Sequence, residues 1–157
     1  MRPPAWRTQG LKMSVTVTTD NPIWNSKVSS ENAASQNVAG VLLVDDTPFI
    51  CSLLKGLLVS HSFQVWTAES GTEALEIFRA HSSKISVALL DVQMPGLDGP
   101  ETAEELLKIN PDLPYCFMSG EPGKYTATGL QARGARAFFD KPLSLNRRID
   151  TLKDLTR

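Results

Sequence analysis

Val41-Leu42-Leu43-Val44-Asp45-Asp46-Thr47-Pro48 is the stretch that decides the fold. Four consecutive apolar residues suit a strand buried on both faces, the usual state of a strand in a parallel sheet. Two carboxylates follow at once. Asp46, Thr47 and Pro48 then read as a helix start, a capping residue with proline in the first turn. Beyond them Ile50, Leu53, Leu54, Leu57 and Leu58 recur at helical spacing and predict one apolar stripe.

The same alternation continues downstream. Further strands are expected over residues 63–68, 87–90, 115–118 and 136–139, and helices over 70–80, 100–109, 124–132 and 144–155. Ala74, Ile77 and Phe78 should face inward on the second helix, and Ala103, Leu106 and Leu107 on the third. Residues 93–99 are a Pro/Gly loop. Five short strands alternating with five helices imply a doubly wound, five-stranded parallel sheet with helices on both faces. Such an α/β sheet binds its ligand at the carboxyl ends of its strands.

Composition narrows the function. The chain has 157 residues, 41% of them hydrophobic, with 16 basic and 17 acidic residues. That balance gives no electrostatic reason to expect a nucleic-acid or membrane partner. Cys51 and Cys116 each sit in an apolar run, which suits buried thiols in a reducing compartment. No apolar stretch approaches the roughly 18 residues of a membrane span, and no secretory signal is evident. A cytoplasmic protein is expected. Residues 1–39, rich in Ser, Thr, Asn and Pro, read as a disordered tail, and residues 40–157 as the folded domain. Val15-Thr16-Val17-Thr18 could form a short strand there. Trp6 and Trp24 in the tail could be a docking motif, could pack back on the domain, or could have no role. Met13 is an alternative start.

At the strand ends stand Asp45 and Asp46, Asp91, Ser119 and Lys141. Each has a bland reading. The first two could only cap a helix, Asp91 could be a turn residue, Ser119 could cap the next helix, and Lys141 could reach to solvent. All of them at one sheet edge by chance is far less expected. Three crowded carboxylates repel and call for a cation. Hard oxygen donors suit Mg²⁺, which keeps waters and binds phosphate. A carboxylate can then act as nucleophile toward phosphorus, while Lys141 and Ser119 neutralise and hydrogen-bond the phosphoryl oxygens. His61 and His81 lie at helix ends and are assigned no chemistry.

These residues, in this order, closely resemble the receiver domain of two-component response regulators, a CheY-like, flavodoxin-like fold with strand order 2-1-3-4-5. The resemblance is carried by Val41-Leu42-Leu43-Val44-Asp45-Asp46 and by the stretch from Leu89-Leu90-Asp91 through Gln93-Met94-Pro95-Gly96 to Asp98-Gly99. Phe117-Met118-Ser119-Gly120 and Phe138-Phe139-Asp140-Lys141-Pro142 complete it. It implies Asp91 as the phosphoacceptor. It also implies Mg²⁺ held by Asp46, Asp91 and the backbone carbonyl of Gln93, with Asp45 acting through water. Ser119 matches the hydroxyl that moves toward the phosphoryl group, Lys141 the lysine of the motif, and Phe138 the aromatic switch. The Lys141–Pro142 bond is implied to be cis.

Some positions depart from the commonest pattern. Serine stands where threonine is frequent, and Phe138 has no phenolic hydroxyl. Gly120 leaves the entrance open, with Gln93 and Glu121 flanking it as expected determinants of phosphoryl lifetime. Residues 124–129 have poor helix propensity. They are either held by tertiary packing or reorder on phosphorylation.

The resemblance implies a sensor histidine kinase or histidine phosphotransfer protein as donor, an unidentified downstream protein as target, and no enzyme turning over a separate substrate. The chain runs about 15 residues past Pro142, enough for one helix, and no output domain is expected. A phosphatase with an aspartyl-phosphate intermediate is the first rival, but its usual Asp-x-Asp is replaced here by Asp45-Asp46-Thr47. A phosphorylation-independent binding module is the second, and the complete acidic set speaks against it.

Overall fold

The computed structural model describes residues 38–121, 123–141 and 145–157. The expectations for the tail, including Trp6, Trp24, Met13 and the strand at Val15, and for the peptide bond at Pro142 lie outside the described residues. Ten elements alternate along the chain: β1 (Gly40–Val44), α1 (Pro48–Ser60), β2 (Gln64–Ala68), α2 (Gly71–His81), β3 (Val87–Asp91), α3 (Gly99–Ile109), β4 (Tyr115–Ser119), α4 (Ala127–Ala132), β5 (Ala137–Asp140) and α5 (Leu145–Leu155). The strands form one sheet in the order β2-β1-β3-β4-β5, and every pairing is parallel. This is the predicted doubly wound topology.

The central strands β1, β3 and β4 are buried at every residue, which explains their continuous apolar text. Successive side chains on a strand point to opposite faces, so each strand feeds two cores. Leu42, Val44, Leu90 and Phe117 pack with Phe78 of α2, Leu106 of α3 and Leu130 of α4. Val41, Leu43, Leu89 and Met118 pack with Leu54 and Leu58 of α1 and Leu152 of α5. The strand order reverses between β1 and β3, so the crevice for a ligand opens at their carboxyl ends.

Two local expectations are corrected. The buried face of α1 is centred on Cys51, Leu54 and Leu58, and Leu53 is 51% exposed. At 100° per residue, Leu53 lies on the far flank of that face, while the Cys51 thiol turns inward to the Asp45 and Ala68 carbonyls. The helix expected from residue 124 begins only at Ala127, where Thr126 caps it by accepting the Gly129 N–H at 3.0 Å. Residues 124 and 125 precede the cap and make contacts of another kind.

Candidate functional site

The loop after β1 brings in two carboxylates. Asp45 is completely buried. Its Oδ1 accepts the Thr47 N–H at 2.9 Å, and its Oδ2 accepts the Lys141 ammonium at 2.7 Å. The N-cap of α1 is Thr47, whose side chain makes no capping bond. Neither aspartate is spent as a helix cap, so that bland reading fails. Asp46 is exposed, and it offers an oxygen that lies within 4.8 Å of oxygens from Asp45 and Asp91.

Asp91 closes β3 and is buried, with Oδ1 accepting from Lys141 Nζ at 3.1 Å. The next helix comes as close as it can. A Cβ at Gly99 would stand 2.2 Å from the Asp91 carbonyl oxygen, so glycine is needed where α3 begins. Lys141 follows β5 and is fixed at its backbone, where its N–H donates to the Ser119 carbonyl at 2.8 Å. Ser119 ends β4 and is buried, and the next helix is capped by Thr126 instead. Sheet topology thus gathers Asp45, Asp46, Asp91, Ser119 and Lys141 from four strand ends.

The other predicted residues stand around this centre. Gln93 is exposed two residues beyond Asp91, and its side-chain amide lies against Gly123. Phe138 is half-buried, opposite Phe117 in the register, and packs on the core shared by α2, α3 and α4. Glu121 is exposed. His61 bonds to its own helix end and to Ser60, and His81 stacks on Trp66.

Charge explains the arrangement. Burial pushes the Asp91 carboxyl up to about 6, Lys141 opposes the rise, and Asp45 and Asp46 add to it. Burial pulls the Lys141 ammonium down, but its bond to Asp45 and the charge of Asp91 outweigh that and hold it above its ordinary value. Three carboxylates against one ammonium leave a negative excess that a divalent cation fits, and their oxygens are the hard donors Mg²⁺ prefers. The two cysteines take no part. Burial pushes Cys51 up to about 11 and Cys116 up to about 12, so both stay as inert thiols.

Sequence reasoning missed a second use of the loop after β3. Asp98 is the N-cap of α3 in a capping box with Glu101, and it also accepts the Tyr125 hydroxyl at 2.9 Å. Burial works to raise its carboxyl, but the Glu101 N–H, Tyr125 and Lys124 together hold it below the usual range. The Asp-x-x-Glu spacing was a readable signal for the cap. Nothing in the sequence signalled Tyr125.

A parallel sheet with a cluster of three carboxylates and a lysine amine at its switch point defines the class: a doubly wound α/β domain with an acidic site at its strand ends. The chain belongs to the response regulator receiver domain family, whose family model matches residues 41–153. Such receiver domains serve two-component systems, and phosphorylation and Mg²⁺ are general features of them.

Among similar proteins, the sensor kinase CckA of Brucella abortus (strain 2308) is 34% identical over 137 residues, covering 87% of this chain and 14% of that protein. The transcriptional regulatory protein GlrR of Escherichia coli (strain K12) is 29% identical over 120 residues, covering 76% of this chain and 27% of that protein. The chain thus spans well under a third of these curated relatives. A receiver domain protein from Clostridium thermocellum superposes with a TM-score of 0.72 at 28% identity, covering 76% of this chain and 94% of that one. TrrA of Thermotoga maritima, solved in complex with Mg²⁺ and BeF, gives 0.66 at 30% identity, covering 75% and 99%. Among the described residues, no helix is long and apolar enough to cross a membrane.

Proposed function

We propose that Asp91 accepts a phosphoryl group from a phosphohistidine and that the protein signals by the resulting change of surface. One observation carries this reading. The Lys141 ammonium bridges Asp45 and Asp91 while Asp46 stands beside them, so nucleophile, counter-charge and acidic donors meet at one sheet edge. The other arm of support is the family to which the chain belongs.

In the transfer, an Asp91 carboxylate oxygen bonds to phosphorus as the P–N bond to the donor imidazole breaks, and the leaving imidazole takes up a proton. Mg²⁺ would be held by Asp46, Asp91 and the Gln93 carbonyl, with Asp45 acting through water, and bound there it neutralises charge on the phosphoryl oxygens. Lys141 contributes a fixed positive charge on the same side. The Ser119 hydroxyl moves to donate to a phosphoryl oxygen, and Phe138 turns into the space this leaves. A phenylalanine makes that switch steric, with no hydroxyl to bond at either end of its travel.

The partners follow from the chemistry. The donor is a sensor histidine kinase or histidine phosphotransfer protein, and the target a downstream protein that reads the altered face. The protein is an acceptor, not an enzyme with its own substrate, and it works in the cytoplasm, where its two buried free thiols persist. The test is incubation with acetyl phosphate and Mg²⁺ followed by intact mass. Wild type should gain one phosphoryl group and Asp91→Asn none. Equal gain in both would overturn the assignment. Steady turnover of an unrelated phosphomonoester would favour the phosphatase reading instead.

A further inference from the structure

A single carboxylate fastens the segment after β4 to the loop after β3. Asp98 Oδ1 accepts the Glu101 N–H at 3.0 Å, and Glu101 Oε2 accepts the Asp98 N–H at 3.1 Å, which fixes the start of α3. Asp98 Oδ2 faces away from the helix. It takes the Tyr125 hydroxyl at 2.9 Å and the Lys124 ammonium at 3.2 Å. The Lys124 ammonium lies 5.0 Å from the centre of the Tyr125 ring, and the Arg133 guanidinium, just past α4, lies 5.5 Å from it. Beside them, Gly123 packs against the Gln93 amide. Val92, Gln93, Met94, Pro95, Lys124 and Tyr125 line a cavity of about 430 Å³ between the two segments, with Asp98 on its wall.

The clasp is anchored to the acceptor. Asp98 precedes Gly99, whose N–H donates to the Val92 carbonyl at 3.0 Å and whose Cα sits on the Asp91 carbonyl. Asp98 is thus next in the chain to a residue held against the backbone of Asp91 and Val92. On the other side, α4 has six residues, too few to be stable by its own hydrogen bonds, so tertiary contacts must hold it. The Tyr125–Asp98 bond is such a contact, and its charged acceptor makes it stronger than a neutral pair. Lys124 is exposed, so its ion pair adds little.

We propose that Tyr125 is a positioning residue that clasps the α4 entry to the loop carrying Gln93, and that release of this clasp frees α4 when Asp91 is phosphorylated. The second half of this rests on the reading of Asp91 as phosphoacceptor. Closed, the clasp ties residues 92–98 and 123–132 into one body. Open, the two segments move separately and the cavity between them widens.

Tyr125→Phe keeps the ring and its packing and removes only the hydroxyl. Hydrogen exchange on the full chain, first without any phosphodonor, should show faster exchange in both 92–98 and 123–132, by about tenfold or more for the loss of one charged hydrogen bond. Exchange in α1 and α2 should stay as in wild type, which a general loss of stability would not allow. Lys124→Gln should give a smaller change of the same pattern. With acetyl phosphate and Mg²⁺, wild type should approach the variant's exchange in 123–132, and the variant should change little further. Unphosphorylated Tyr125→Phe that exchanges like wild type in both segments would overturn the clasp. A wild-type protein that gains no mass with acetyl phosphate would bring down the phosphoacceptor reading by itself, because the first arm contains no phosphodonor.

Discussion

Lys141 Nζ stands 2.7 Å from Asp45 Oδ2, 96 residues away in the chain, on a carboxylate with no exposed surface. A buried carboxylate deprived of its cation bears the full cost of its lost hydration. The side chain of Lys141 is 21% exposed, so water relieves part of that cost. Lys141→Met should therefore lower metal-free stability by about 2–3 kcal/mol, at or below the low end for breaking a buried pair. Saturating Mg²⁺ should recover part of the loss by supplying positive charge. Urea denaturation in EDTA and in Mg²⁺ measures both effects. Coincident transitions for wild type and variant in EDTA would show that this pair contributes nothing.

Asp91 predicts an inverted pH dependence. Burial raises its carboxyl from 3.8 to about 6 in the folded, metal-free protein. A carboxyl raised on folding disfavours the folded state once ionised. Its stabilising contribution is complete below 3.8 and is lost as pH rises through about 6. Asp91→Asn has no such group. The variant should match wild type in acid and exceed it above this window by about 2–3 kcal/mol, from roughly 1.4 kcal/mol per pKa unit. Denaturation midpoints at a series of pH values in EDTA give the comparison. A wild-type deficit that does not grow between pH 4 and 6.5 would refute the assignment, on the ordinary titration range of a carboxylate raised this far.

The orientation of α1 is testable by a neighbouring pair of leucines. Leu54 is 1% exposed and Leu53 is 51% exposed. Leu54→Ala should cost about 2–4 kcal/mol, and Leu53→Ala under about 0.5 kcal/mol. Similar losses at both positions would place the buried face midway between them, where the leucine spacing alone had put it.

Those leucines also mark how far the residues disclose the structure. Asp45, Asp91, Ser119 and Lys141 are legible because each stands at the end of a short strand pattern, and a parallel sheet brings such ends to one edge. The rotation of α1 is not legible from its leucines, because four of them spread over nearly half the helix circumference. Cys51, a small residue given no helical role, decides the inward side. The clasp is less legible still. Lys124 and Tyr125 fall in a stretch of poor helix propensity read as the start of a helix, and their approach to Asp98 depends on a turn at Gly123 that only the assembled sheet positions.

That turn carries its own prediction. Gly123 has φ +62°, and an added Cβ would stand 2.0 Å from Gln93 Nε2. The amide is the far end of an exposed, flexible side chain and can swing aside at little cost. The backbone strain cannot be relieved that way. Gly123→Ala should cost about 1 kcal/mol, and the cost should stay nearly the same in a Gln93→Ala background. A double-mutant cycle by chemical denaturation separates the two. A cost that disappears with Gln93→Ala would assign it to the collision.

Gln93 and Glu121 stand two residues beyond Asp91 and Ser119, and both are exposed. Hydrolysis of an aspartyl phosphate needs a water molecule in line with the bond that breaks, so on the proposed function these two side chains are expected to set the lifetime. The Gln93 amide lies against Gly123, in the segment after β4. Removing it would leave its space to water and should speed phosphoryl loss. Gln93→Ala should shorten the half-life about threefold or more, a barrier change of roughly 0.7 kcal/mol. Glu121→Ala should act in the opposite direction, since its carboxylate can accept a proton from the attacking water. Intact mass at intervals after removal of acetyl phosphate gives both rates. Decay at the wild-type rate in both variants would place control of the lifetime elsewhere in the site.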